Sequence, residues 1–286
     1  MSTLRVVGTI AALTLREAAR RRVLLALGVM TVLLLALSAW GFSRVAAESG
    51  DSTLTSGEAR LTASILINLV MFGFSLIAAL GTAFLAGPTL SGETESGIAL
   101  SVLARPIRRS ALLLGKWLGL VAFGCGFVVV AGLAQCVVVH LTVDYWPPDP
   151  ATALALLGGQ TVVLLTLALL LSTAISPMAS GVVAVGLFGT TWIAGVVGGI
   201  GGSLDNEAVE RVGSVSRMLL PTDGLWRGAM HGFQDPSALV QFGGADSEAF
   251  PFLSVAPLTL SYLAWAVVWV VMVWALAAVV FERKDL

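Results

Sequence analysis

Charge is what this chain has least of. Only 12% of its 286 residues are Asp, Glu, Lys or Arg, about half the share of an ordinary soluble domain. Titratable groups suited to chemistry are scarcer still, with two His and two Cys in the whole sequence. Cys125 and Cys136 stand eleven residues apart in one apolar run, about 16 Å along a helix, so they cannot bond to each other. Neither they nor His140 nor the seven Met residues fall at metal-ligand spacing. The Gly115-Lys116 pair has no upstream glycine at phosphate-loop spacing and is followed by Trp117 rather than Ser or Thr. ATP binding by this chain alone is therefore not expected.

What fills the place of charge is apolar sequence. Hydrophobic residues make up 57% of the chain, and its mean hydropathy is +0.93. The apolar residues are gathered into six windows, 23–42, 61–86, 117–141, 153–175, 178–198 and 258–281. Each exceeds the roughly 18 residues that mark a spanning helix. A secretory signal is a second reading of the first window, because arginines precede it and Val45-Ala46-Ala47 resembles a cleavage site. The run is longer than a signal core of about 7–15 residues, so a retained helix is expected. The fold class that follows is all-α: a polytopic membrane protein of six transmembrane helices, with residues 23–286 as a single transmembrane domain.

Basic residues orient it. An inside N-terminus puts eleven of the sixteen Lys and Arg residues on the cytoplasmic face, from Arg5, Arg16 and Arg20 through Arg105, Arg108 and Arg109 to Arg283. Arg44, Arg60, Arg211, Arg217 and Arg227 remain outside. By the positive-inside rule both termini are cytoplasmic. The formal net charge of -1 hides this polarity and supplies no reason to expect nucleic acid as a partner.

Residues 1–22 precede the first span. Arg5, Thr9, Arg16 and Arg20 share one side of a helical wheel, and Leu4, Val7, Ile10, Ala11, Leu15 and Ala18 share the other. This pattern predicts an amphipathic helix in the cytoplasmic interface, the alternative being a basic end that only sets topology. Between spans two and three lies the cytoplasmic segment 88–116. Gly92, Glu93, Glu95 and Gly97 are expected to end the second span. A short apolar helix follows over 98–104, interrupted by Pro106, and Lys116 is expected to snorkel toward the headgroups. Spans four and five are joined by a turn at Ser176-Pro177.

The long external segment, 199–257, carries an apolar stripe of Leu204, Ala208, Val212, Val215 and Leu219. A break follows at Leu220-Pro221-Thr222-Asp223, then a second short helix near 224–231. These pieces are too small for a core of their own and are expected to lie as a lid against the outer ends of the spans. Two matches to the close-packing motif GxxxG, at Gly115/Gly119 and Gly195/Gly199, are weak indications of a dimer face. The polar residues inside the windows are Asn68, Ser75, Gln135, Gln160 and four threonines, Thr161, Thr166, Thr190 and Thr191. They suit either a polar path or bonds between neighbouring helices. No acid or base lies at mid-span, which argues against a proton-driven transporter.

Gly92-Glu93, Gly97, the apolar residues up to Leu103, Arg105-Pro106-Ile107-Arg108 and Leu114-Gly115-Lys116 resemble the cytoplasmic pattern of ABC-2 type transporter permeases. The basic end Phe281 to Leu286 is similar to that family's C-terminus. Leu220-Pro221-Thr222-Asp223 with Arg227 resembles the branch containing the permease of nitrous-oxide-reductase maturation. The resemblance implies a transmembrane subunit of an exporter in a bacterial or archaeal plasma membrane. It also implies a second permease copy or homologue and two ABC ATPase subunits beneath, which carry the ATP and Mg; this chain holds no cofactor. The coupling role carries over to Glu93, Gly97, Leu100, Leu103, Arg105, Pro106 and Arg108. Alternatives of another class are a polytopic membrane enzyme, for which the chain offers no cluster of His, Asp or Glu, and a nonconducting assembly subunit.

Overall fold

The computed structural model describes residues 3–20, 22–48, 57–95, 108–242 and 250–283. No strand occurs among them. The helices in chain order are α1 (Thr3–Ala18), α2 (Arg22–Glu48), α3 (Gly57–Glu95), α4 (Arg109–Val143) and α5 (Pro150–Ala174), then α6 (Pro177–Ser203), α7 (Glu207–Leu219), α8 (Thr222–Phe233), α9 (Pro236–Phe242) and α10 (Leu260–Arg283). Six of these, α2 to α6 and α10, are long and apolar enough to cross a membrane.

Local chemistry sets several boundaries. Asp149 caps α5 by accepting from the Thr152 amide, and Pro150 occupies its first turn. Pro177 opens α6 in the same way, so α5 and α6 form a tight hairpin. Asn206 caps α7 by accepting from the Val209 amide. The turn before it needs a left-handed residue, supplied by Asp205 at φ 52°. Two helices overrun their apolar windows by about two turns or more at one end. α3 continues past Gly92 and Glu93 to Glu95, and α4 starts at Arg109, eight residues before Trp117. Lys116 is consequently inside a packed helix and only 5% exposed; it does not snorkel.

The spans differ in burial. In α3 and α5, 61% of the apolar window is buried, against 11% in α2 and 17% in α10. The inner pair carries the core, with Ile67, Met71, Phe74 and Leu157 among its residues. The exposed valines and leucines of α2 and α10 are what a lipid-facing surface requires, since lipid tails are as apolar as Leu.

Both glycine motifs are used inside the chain. A Cβ on Gly115 would lie 2.7 Å from Ile10 Cβ, and one on Gly119 would lie 2.6 Å from Ala11 O. The pair is therefore the seat of α1, whose Val7, Thr14 and Ala18 are buried. Gly198 and Gly201 form a similar seat for α7 on α6, while Gly195 faces Asp223 of α8. Gly198 meets Gly213 of α7 backbone to backbone, and a Cβ on Gly201 would sit 2.6 Å from the Glu210 amide nitrogen. Gly115, Gly119 and Gly195 are thus covered within the chain.

Candidate functional site

The segment between α6 and α10 does not stop at the span ends. α7 runs back down α6, the chain turns at Leu220-Pro221, and α8 climbs out along α5. Leu225 near the start of α8 lies beside Gly159, and Gly232 near its end lies beside Asp149 and Ala153. Gly159 is nine residues inside α5, so the turn reaches about 14 Å past the start of that span. The far side agrees: Leu219 is bonded to Trp269, also nine residues into α10. α7 and α8 are thus a re-entrant pair.

Helical backbone ending at that depth must find donors, because lipid offers none. It does. The four last carbonyls of α7 are all paired: Ser216 O accepts from the Leu220 amide at 3.0 Å, Arg217 O from Tyr262 Oη at 3.0 Å, Met218 O from Trp265 Nε1 at 3.1 Å and Leu219 O from Trp269 Nε1 at 2.8 Å. Tyr262, Trp265 and Trp269 follow one face of α10 at spacings of three and four. The apolar stripe of α7 is exposed at Val212, Val215 and Leu219, beside an exposed Glu207–Arg211 ion pair on the same helix.

A charged cluster holds the re-entrant pair to α6. Asp223, 3% exposed, accepts on Oδ2 from Arg217 Nε at 3.1 Å and Arg227 Nε at 3.2 Å. Arg227 Nη2 also donates to Gly195 O at 2.8 Å. A Cβ on Gly195 would fall 2.1 Å from Asp223 Oδ2, so only glycine lets the carboxylate reach this position. Burial pushes the Asp223 carboxyl above its ordinary value while the two guanidiniums pull it back. Burial and the neighbouring Arg227 lower the Arg217 guanidinium, against the attraction of Asp223. Sequence reading singled out the Asp223 and Arg227 stretch only as a resemblance; its i, i+4 spacing was the available sign of an ion pair.

At the opposite end of the spans, Glu93 lies in the last turn of α3. Gly97, Leu100, Leu103, Arg105 and Pro106 lie outside the described residues, as does the expected helix 98–104. Arg108 stands at the N-cap of α4 in extended conformation. Next to it is a residue the coupling assignment passed over: Arg109 Nη1 donates to Glu282 O at 3.2 Å and Phe281 O at 3.5 Å. This joins the start of α4 to the end of α10, where a cation also meets the negative end of the helix. Leu112, Leu113 and Phe281 pack under that contact, with Ile10 of α1 against them.

The polar residues within the spans mostly bond across helices. Ser75 Oγ donates to Gln160 Oε1 at 2.7 Å, Gln135 Nε2 to Ser38 Oγ at 2.6 Å, Asn68 Nδ2 to Phe252 O at 2.9 Å and Trp117 Nε1 to Thr166 Oγ1 at 2.9 Å. Thr161, Thr190 and Thr191 turn their hydroxyls onto carbonyls of their own helix. Among the described residues no group of three or more His, Cys, Asp or Glu is placed to hold a metal ion.

This architecture can be compared with known proteins. The sequence profile described as "ABC-2 family transporter protein" matches residues 9–286, nearly the whole chain. The chain belongs to the ABC-2 family of transporter proteins. Two curated ABC transporter proteins are similar to it. One is described as "Probable ABC transporter permease protein NosY" of Pseudomonas aeruginosa, 34% identical over 137 residues, which cover 45% of this chain and 46% of that protein. The other carries the same description in Stutzerimonas stutzeri and is 34% identical over 149 residues, 49% of this chain and 50% of that protein. The match therefore spans about half the length of these curated relatives. As an ABC-2 family member with six apolar helices, the chain is a multi-pass membrane permease of the ABC transporter class.

Proposed function

We propose that this ABC-2 permease is the transmembrane half of an exporter powered by two separate ATP-binding-cassette subunits, and that it works beside a second permease copy or homologue. The observation that carries this reading is a pairing: family membership over residues 9–286 in a sequence with no phosphate-binding loop of its own. Both termini and the segment 88–116 lie in the cytoplasm of a bacterial or archaeal cell, in keeping with the distribution of Lys and Arg. Cysteines at Ser101 and Ser247 are then labelled from opposite sides of the membrane, Ser101 from the cytoplasm.

Coupling follows from the elements around that segment. Closure of the ATPase pair pushes the apolar stretch 98–104, with Leu100 and Leu103 in its groove and Arg105 and Arg108 holding register by charge-assisted bonds. Glu93, Gly97 and Pro106 shape the entry and exit of the stretch. The push passes to α4, a single helix of 35 residues that reaches the outer face about 50 Å away. α1, seated on Gly115 and Gly119, and α10, tied by Arg109, move with it. ATP and Mg belong to the partner subunits, and no substrate is assigned.

The test is co-purification of an ATP-binding-cassette ATPase co-expressed with the tagged chain, together with ATP hydrolysis by the pair. Leu100→Asp places an unpaired charge in an apolar contact, at a cost of several kcal/mol. The expected result is loss of the ATPase with normal membrane insertion; retention of the partner and its full activity would reject the coupling assignment.

A further inference from the structure

Beside the buried Asp223 lies a cavity of about 310 Å³ open to the outer face. Arg217 and Arg227 lie on its wall with Gly198, Gly202, Gly224 and Gly228; of these glycines, Gly202 has open space where a Cβ would stand. Asp223 satisfies only Nε of each arginine. With Arg227 Nη2 given to Gly195 O, both Nη groups of Arg217 and Nη1 of Arg227 have no partner among the described residues. One carboxylate between two guanidiniums leaves net positive charge in a partly buried place, where a cation without a counter-ion is costly.

We infer that this cavity is a binding site for a phosphate group, held by Arg217 and Arg227. Planar guanidiniums with spare N–H groups match phosphate oxygens in paired fashion. The volume suits a headgroup or a free anion rather than a large molecule. The lowering of the Arg217 guanidinium by burial and by Arg227 agrees with a positive field that lacks its counter-charge. Among the described residues Glu210 is the one acid on the lining; it is exposed and opposes an anion from the rim. The site is independent of the export reading, since it needs neither ATP nor a second subunit.

Two probes separate the sources of the phosphate. Inorganic phosphate is titrated calorimetrically into the full chain in an uncharged maltoside detergent at low salt, and retained phosphatidylglycerol is counted by native mass spectrometry. Saturable phosphate binding, weakened about tenfold or more by Arg217→Gln and tightened up to about fivefold by Glu210→Gln, supports a site for the free anion. Retained phosphatidylglycerol that Arg217→Gln releases, with no binding of inorganic phosphate, supports the same site with a lipid as its source. Should Arg217→Gln fail to fold, the exposed Glu210→Gln variant decides alone. Absence of both ligands on the wild-type chain, or binding unchanged by the substitutions, overturns the inference.

Discussion

The indole of Trp269 donates to the carbonyl oxygen of Leu219 at 2.8 Å, joining the spanning helix α10 to the end of α7, which runs back alongside the spans. Replacing Trp269 by Phe keeps an aromatic ring and removes the donor, leaving a carbonyl unpaired where water is scarce. A stability loss of about 1–3 kcal/mol is expected. Trp265→Phe should cost less, because its bond to Met218 is exposed. Thermal unfolding of each variant in the same nanodiscs gives the order.

Gly119 offers a test of the α1 seat. Gly119→Leu puts a side chain where Ala11 O and Thr14 already stand, 2.6 and 2.9 Å from the nearest possible Cβ. α1 must move away, because backbone on both sides cannot yield. Val7, buried against α4, then becomes reachable. A cysteine introduced at Val7 should react with maleimide several-fold faster in the Gly119→Leu background; equal rates would place α1 elsewhere.

Acid should loosen the start of α9 through Asp235. Burial alone would raise its carboxyl, but bonds from Ser237 and the Ala238 amide, with Arg60 nearby, hold it below its ordinary value. A depressed carboxyl contributes stability that is present above its unfolded value and lost as pH falls through the folded one. Asp235→Asn should cost about 1 kcal/mol at neutral pH, the size of a helix cap, and the gap to wild type should close in acid. Melting both proteins across that range checks the sign.

Arg105→Glu should act differently from Leu100→Asp. A charge reversed at the rim of a contact is screened by salt, whereas a charge buried in its centre is not. Under the coupling assignment the Arg105→Glu defect in ATPase co-purification therefore varies with ionic strength across about 0.05–0.5 M salt, and the Leu100→Asp defect does not. Equal salt response in the two variants would remove the distinction between rim and centre.

The six spans were legible because the bilayer imposes a length: windows such as 153–175 need only be long and apolar, and α5 over Pro150–Ala174 is the result. The α1 helix was legible as well, since its wheel separates Arg5 and Arg16 from Val7 and Ala18, two of the residues that α1 buries. Sequence by itself thus determined the membrane class, the number of spans and the short Ser176-Pro177 hairpin. Tertiary structure alone decided what the glycines and the external helices do. Gly115 and Gly119 carry no mark that says whether their partner is α1 or another chain, and Gly195 gives no hint of the Asp223 carboxylate that fills its missing Cβ. The depth of α7 and α8 was hidden for a related reason. An apolar stripe such as Val212 and Val215 reads the same whether it faces protein or lipid. What sends α7 inward is a set of donors on Tyr262, Trp265 and Trp269, dozens of residues away in the chain and adjacent only once the helices have packed.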